Sequence, residues 1–171
     1  MTGTGFSVRQ ARTADVRGIH ALVEPLVQER ILLGKELVVF FESVQEFSVA
    51  VDESSGQVIG CGALHVLWED LGEIRTLAVH DRWRGAGVGH ALSDRHERQA
   101  RELGLHRLFC LTFETEFFSR HGFASIGEEL LVDPEVYGEL VRSPDEGVAE
   151  FLDLSRVKPN TLGNSRLLKE L

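Results

Sequence analysis

At 171 residues the chain fits one domain with a proper hydrophobic core, and 43% hydrophobic and 26% charged residues are those of an ordinary globular protein. A formal net charge of -9 excludes sequence-independent attraction to a nucleic-acid backbone, so any anionic ligand must be held by a local site. Two cysteines, Cys61 and Cys110, are too few for a disulfide framework; both fall in apolar, strand-like runs and read as buried free thiols, which suits a reducing compartment.

Residues Met1–Gly5 carry neither a basic start nor an apolar core, and no apolar run approaches the length of a membrane span. A cytoplasmic protein with no membrane or nucleic-acid partner is expected. Phe6–Arg9 reads as a short alternating strand. Thr13 or Asp15 can cap a helix whose apolar residues Ile19, Leu22, Val23 and Leu26 follow helical spacing. A second helical segment is expected near Lys35–Phe41, after Gly34. Glu46–Val51 alternates as a strand, and Ser54–Gln57 turns into Val58–Leu67, an antiparallel hairpin. Asp70–Gly72 then turns into a strand over Glu73–Val79.

A helix is predicted from Ala86 to Leu103, closed by Gly104. The next strand is His106–Thr112, followed by a short helix over Thr115–His121 that Gly122-Phe123 ends. A strand over Ala124–Val132 meets Asp133-Pro134, a good helix start. Ser143–Gly147 reads as a polar loop and Ala149–Val157 as an alternating last strand, with Lys158–Ser165 in a closing tail. Hairpins followed by a strand–helix–strand crossover imply an α/β (α+β) fold with a mixed, mostly antiparallel sheet and helices on both faces. A single domain over residues 1–171 is expected.

Between the strand Glu73–Val79 and the following helix lies Arg84-Gly85-Ala86-Gly87-Val88-Gly89. A glycine turn that opens a helix points backbone N–H groups outward at an anion, and glycine lets that backbone approach closely. A P-loop needs a lysine and then Ser or Thr after the last glycine, but His90-Ala91 follow Gly89. A dinucleotide fingerprint belongs in the first turn of a parallel sheet with an acidic residue ending the second strand. Here the turn lies mid-chain after hairpins, and the next strand ends Phe109-Cys110-Leu111-Thr112. The plainer alternative is that the glycines only make a tight turn.

The Arg84-x-x-Gly87-x-Gly89 pattern follows a strand ending Leu77-Ala78-Val79 and precedes a long helix and Gly122-Phe123. With Arg9-x-Ala11-Arg12-x-x-Asp15 near the start, it resembles the acetyl-coenzyme A site of the GNAT acetyltransferase superfamily over nearly the whole chain. The resemblance implies that the backbone of Arg84, Gly85, Ala86, Gly87, Val88 and Gly89 cradles the pyrophosphate of acetyl-CoA. It also implies that Leu77, Ala78 and Val79 pair with pantetheine, one of their N–H groups polarising the acetyl carbonyl.

Gly60–Leu64, Gly72–Val79, Leu108–Thr112 and Phe117–Phe123 resemble one branch of that superfamily, the N-acetylglutamate synthases of arginine biosynthesis. The tail Lys158–Arg166 resembles the short, stand-alone actinobacterial form, which lacks an amino-acid kinase domain. The implied acceptor is L-glutamate, and Glu73 is the implied general base, taking the ammonium proton directly or through water. The alternative is that Glu73 pairs with Arg75 or caps a strand. Arg75, two residues on and hence on the same face of the strand, could grip a substrate carboxylate in two-pronged fashion. Lys35 matches a basic substrate-binding region, or is a solvated lysine at a helix start. Asn164, Ser165 and Arg166 match the stretch that holds the acceptor in the longer synthases, although a basic residue expected before the Asn-Ser pair is Gly163 here; Lys158 or Arg166 are its candidate replacements.

Many GNAT enzymes carry a tyrosine that protonates the leaving thiolate where this chain has Phe118, which the resemblance leaves beside the coenzyme. Thr112 is the remaining hydroxyl candidate for that step. None of the seven histidines has a paired ligand spacing with a carboxylate, so no metal is expected. The resemblance also implies a homodimer. Direct transfer in a ternary complex is expected, since neither cysteine has a neighbouring cue for an activating base. The rivals are the same chemistry on glutamine, another amino acid or a protein amine, and a non-catalytic acetyl-CoA sensor.

Overall fold

The computed structural model describes residues 5–127, 129, 131–152 and 164–171. In chain order these form β1 (Phe6–Gln10), α1 (Val16–Gln28), α2 (Leu37–Glu42), β2 (Phe47–Asp52), β3 (Val58–Val66), β4 (Leu71–Val79) and α3 (Val88–Glu102). There follow β5 (Arg107–Thr112), α4 (Thr115–Arg120), β6 (Ala124–Ser125), α5 (Pro134–Leu140), α6 (Glu146–Phe151) and β7 (Ser165–Glu170). The strands are hydrogen-bonded in the order β1-β2-β3-β4-β5-β7-β6. The β1–β2, β2–β3, β5–β7 and β6–β7 pairs are antiparallel, and β4–β5, joined through α3, is parallel. This is the mixed, mostly antiparallel sheet that the pattern of elements predicts.

The chain divides into two compact units, Met1–His65 with Ile74–Leu103 and Val66–Glu73 with Gly104–Leu171. In the first unit, alternation along β2 sends residues to opposite faces of the sheet. Phe47 and Val49 join Val16, Ile19 and Val23 of α1, Phe40 of α2, and Cys61, Ala63 and Ala78 in one core. Ala50 joins Ile59 and the α3 residues Val88 and Leu92 in another. Helices therefore cover both faces of this part of the sheet. Each Val, Leu or Ile buried in these layers contributes about 1.5–3 kcal/mol.

Helix α3 sits close to the sheet because β3 offers glycine beneath it. A Cβ at Gly60 would lie 2.7 Å from Val88 Cγ1, and one at Gly62 would lie 2.8 Å from His96 Nε2. The start of α1 is tied to β1 by Asp15, whose carboxylate accepts from Arg9 at 2.7 and 2.9 Å and from the Arg12 N–H at 2.8 Å. The Arg9 guanidinium holds the Asp15 carboxyl below its ordinary range. Asp15, one of the two residues expected to cap α1, stands at its N-cap position, but its side chain makes no cap bond to that helix and reaches back to Arg12 across a short turn over Thr13–Asp15.

In the second unit β5 pairs with Leu71–Glu73 on one side and β7 on the other. Leu67, Leu71, Phe109, Leu140, Val148, Phe151 and Leu152 make its core, with the Phe109 and Phe151 rings 4.9 Å apart edge to face.

Three expectations are corrected here. The last strand among the described residues is Ser165–Glu170; of the strand expected over Ala149–Val157, Ala149–Phe151 is helical and residues 153–157 lie outside the described residues. Residues Glu146–Phe151 are helical because Asp145 accepts from the Val148 N–H at 2.9 Å, and Val148, Phe151 and Leu152 bury one helical face. The strand expected over Ala124–Val132 stops after Ser125, since Gly127 turns the chain at φ 58°. The turn expected at Asp70–Gly72 lies earlier; Leu67 and Trp68 N–H both donate to Leu71 O, and the strand begins at Leu71 itself. Lys158 and Gly163, weighed above for the acceptor, lie outside the described residues.

Candidate functional site

The glycine turn forms as its residue types require. Gly85 and Gly87 adopt φ 79° and 87°, a left-handed conformation that side chains rarely accept, and Gly87 is the N-cap of α3. A Cβ at either position would meet nothing within 4 Å, so glycine is set there by conformation and leaves open space against the backbone. The first helix bond is Ala91 N–H to Gly87 O at 3.0 Å, and no acidic residue stands in the first turn. The N–H groups of Val88 and Gly89 accordingly have no intrahelical acceptor and carry the positive end of a 15-residue helix. Arg84 is exposed and pairs with Asp81 at 3.0 Å, an arrangement too solvated to hold it rigidly. The turn fits a pyrophosphate: it offers backbone donors, a helix dipole and open space at Gly85 and Gly87.

Just before this turn β4 departs from regular strand geometry. Thr76 has φ 55°, and a β-branched residue in the left-handed region is a real outlier. Leu77 and Val79 reach the α3-side core, whereas Ala78 belongs to the α1-side core. No composition signal marks this kink, because the residue that adopts it is neither Gly nor Asn. It is the backbone feature beside the candidate site that sequence reasoning missed.

Glu73 is 6% exposed, a buried carboxylate at the end of the β4–β5 ladder, opposite Phe109. Both strands continue past that pair. Burial first, and the Glu73 charge second, hold the Cys110 thiol well above its usual range. Three residues beyond Phe109, Thr112 faces Ser165 across the β5–β7 ladder. Thr112 Oγ1 accepts from the Glu114 N–H at 2.9 Å, which leaves its own hydrogen for a further bond. Asn164 is 9% exposed, and its Oδ1 has no hydrogen-bond partner among the described residues. Glu73, Thr112, Asn164 and Ser165 all belong to the second unit, with Glu73 level with Phe109 in mid-β5 and Ser165 level with Thr112 at its C-terminal end.

Arg166 is occupied differently. Its guanidinium donates to Gly127 O at 2.8 Å, Glu129 O at 3.1 Å and Phe151 O at 3.5 Å, and lies 5.5 Å from the Phe109 ring centroid. Phe118 is buried in an aromatic cluster with Phe117 and Phe123. Arg75 is half-buried on β4, and Lys35 is half-buried in extended chain two residues before α2. The structure places Lys35 in the first unit with Arg75, and the Asn164–Arg166 stretch in the second.

Cys61 and Cys110 are both buried free thiols, as their apolar surroundings predict. Burial pushes Cys61 up to about 12. Neither is a thiolate near neutral pH, so neither is a ready nucleophile. Among the described residues no group of three or more His, Cys, Asp and Glu could hold a metal ion, and no helix is long and apolar enough to cross a membrane.

A model of the Acetyltransferase (GNAT) family matches residues 21–124 of the chain. An amino-acid acetyltransferase of Mycobacterium tuberculosis is 59% identical over 162 residues, covering 94% of this chain and 92% of that protein. A crystal structure from Mycobacterium tuberculosis, in complex with CoA and NLQ, superposes with a TM-score of 0.91 at 58% identity. That match covers 96% of this chain and 99% of the other. N-acetylglutamate synthase from Neisseria gonorrhoeae, complexed with coenzyme A and N-acetyl-glutamate, superposes with a TM-score of 0.77 at 28% identity. There the match takes in 99% of this chain but 36% of the synthase.

Proposed function

Because the chain belongs to the GNAT acetyltransferase family, we propose that it carries acetyl from acetyl-CoA to the α-amino group of L-glutamate, the opening reaction of arginine biosynthesis. It is an acyltransferase of the amino-acid acetyltransferase kind, with acetyl-CoA as co-substrate. The glutamate assignment is supported by the N-acetyl-glutamate complex of the Neisseria gonorrhoeae synthase, whose fold this chain shares. The observation that carries the catalytic reading is Glu73, a buried carboxylate on the strand that leads into the glycine turn.

The backbone of Arg84–Gly89 holds the pyrophosphate, and the Leu77–Val79 strand lies along pantetheine. Glu73 takes the proton from the substrate ammonium, directly or through water. The freed amine attacks the thioester carbonyl; its C–N bond forms, a β4 N–H steadies the charge on oxygen, and the C–S bond breaks as the thiolate leaves. The nitrogen sheds its second proton as the amide forms, and Thr112, with its hydroxyl hydrogen uncommitted to Glu114, relays that proton, or orders a water that does, to the sulfur. Arg75 meets a glutamate carboxylate, with Lys35, Asn164, Ser165 and Arg166 as further acceptor contacts. Direct transfer is supported by the two thiols, both held protonated by burial.

The chain works as one acetyltransferase domain in this reading, because β4 contributes Leu71–Glu73 to one compact unit and Ile74–Val79 to the other. A steady-state acceptor screen with free thiol release as the readout tests the function. Saturable turnover with glutamate, lost in Arg75→Ala while coenzyme still binds, supports the assignment. Turnover with glutamine or peptides alone overturns the acceptor. Coenzyme binding without acetyl product from any amine overturns catalysis itself.

A further inference from the structure

The kink in β4 has a partner in β3. The Cys61 thiol donates to the Thr76 carbonyl, with sulfur and oxygen 3.4 Å apart. Cys61 is fully buried, so nothing in solvent competes for that contact. Burial keeps the thiol protonated at any physiological pH, hence able to donate.

The consequence follows from peptide geometry. There are no cis peptide bonds among the described residues, so the Thr76 carbonyl and the Leu77 N–H point in opposite directions from one planar unit. Drawing that carbonyl onto Cys61 aims the Leu77 N–H away from Cys61. A β-branched residue at φ 55° does not hold this conformation by its own preference, so the contacts around it must.

We propose that Cys61 is a positioning residue, a thiol clip on the Thr76 carbonyl that makes the Leu77 N–H the donor offered to the acetyl carbonyl. This rests on the acetyl-transfer reading above, though not on the identity of the acceptor. No bond to sulfur forms or breaks during turnover.

Two substitutions separate the clip from simple packing. Cys61→Val keeps apolar bulk and removes the donor; Cys61→Ser keeps a donor and gives up bulk. If Cys61 only fills space, valine is the better replacement, and if it clips the backbone, serine is. The clip predicts that Cys61→Val loses about ten- to a hundredfold in kcat, short of the roughly 10²–10³-fold for deleting an oxyanion donor outright. Its KM for acetyl-CoA stays within about twofold, since the pyrophosphate cradle is untouched. Cys61→Ser recovers most of the lost kcat.

The second readout is the infrared carbonyl stretch of acetyl-CoA labelled with carbon-13 at the carbonyl, bound without any acceptor. In the wild type the band lies below that of the free thioester; in Cys61→Val it returns toward it, and in Cys61→Ser it moves down again. A Cys61→Val enzyme that matches wild type in kcat and band position overturns the proposal, as does serine losing as much as valine with its melting curve intact. Should Cys61→Val fail to fold, Cys61→Ala carries the same expectation. Because the band needs no acceptor, an error in the choice of glutamate leaves this test standing. A wild-type band unshifted from the free thioester overturns the clip together with the polarisation it serves.

Discussion

Gly87 and Gly104 bracket α3 and allow the coenzyme cradle to be tested against an internal control. Their φ values are 87° and 86°, and a Cβ at either would meet nothing within 4 Å. Alanine at each position therefore pays the same conformational penalty, about 1–2 kcal/mol, with no added clash. For a chain of this length that is a fall in Tm of about 2–8 °C, and the two variants should fall alike. They differ in what they face. Gly87 caps the N-terminus, and Gly104 lies past the far end of a helix roughly 22 Å long. A methyl group over the first turn displaces an anion from one or two backbone donors, each charge-assisted bond being worth about 1.5–3 kcal/mol. Gly87→Ala should thus weaken acetyl-CoA binding by about ten- to over a hundredfold, and Gly104→Ala should leave it near wild type. Calorimetric titration of coenzyme A, beside thermal melts of both variants, makes the comparison. Equal losses of Tm with unchanged coenzyme affinity in Gly87→Ala would refute the cradle.

Glu73→Gln keeps the shape of a buried side chain and removes its basicity, so kcat should fall by about 10²–10⁴ while coenzyme binding persists; a variant within threefold of wild type in single-turnover assays would remove Glu73 from the proton transfer. Stability should depend on His96, which burial pushes from 6.5 down to about 4. The unfolded chain takes up a proton between those values and the native state refuses it, so stability is full above about 6.5 and declines as pH falls toward 4. The loss between pH 7 and pH 5 is about 2 kcal/mol, and urea titrations at the two pH values should show His96→Gln lacking that share of the decline. Equal pH slopes in variant and wild type would refute the assignment.

Features legible in the sequence are those whose cause is local. The cradle was readable because a left-handed φ selects glycine, and Gly85 and Gly87 sit where a strand gives way to a helix. Helix α1 was readable because Ile19 and Val23 repeat at the spacing that puts them in the core. The segment after Ser143 misled because Ala149 and Phe151 alternate as a strand would, and so short a run does not separate a period of two from one of 3.6. Strand β7, Ser-Arg-Leu-Leu-Lys-Glu, is polar at four of its six positions. Its ladder bonds to β5 and β6 make it a strand, and those partners lie dozens of residues away in the chain. Of the candidate acceptor residues, Asn164 and Ser165 were placed by resemblance alone, because only the β5–β7 register brings Ser165 opposite Thr112.

The cradle is made of backbone, so no rotamer can adjust it, and its position is inherited from the placement of α3. That placement is set far from the turn. Gly60 and Gly62 let the helix approach the sheet, and Val88 and Leu92 fill the contact. Nearer its C-terminal end, Arg95 donates to Ser48 Oγ at 2.9 Å, and the Gln99 amide donates to Gln10 Oε1 at 3.2 Å. Gln10 in turn donates to Gln45 O at 2.7 Å and Phe47 O at 2.9 Å. His96 joins this chain through Gln99 Oε1 at 3.2 Å, which assigns the Nδ1 proton and explains why a neutral ring is the form the interior accepts. Half-buried polar side chains, joined to buried Ser48 and His96, specify one seating of a helix where apolar packing alone would tolerate a slide. For a site whose donors are N–H groups fixed to the helix axis, that seating decides where the phosphates bind.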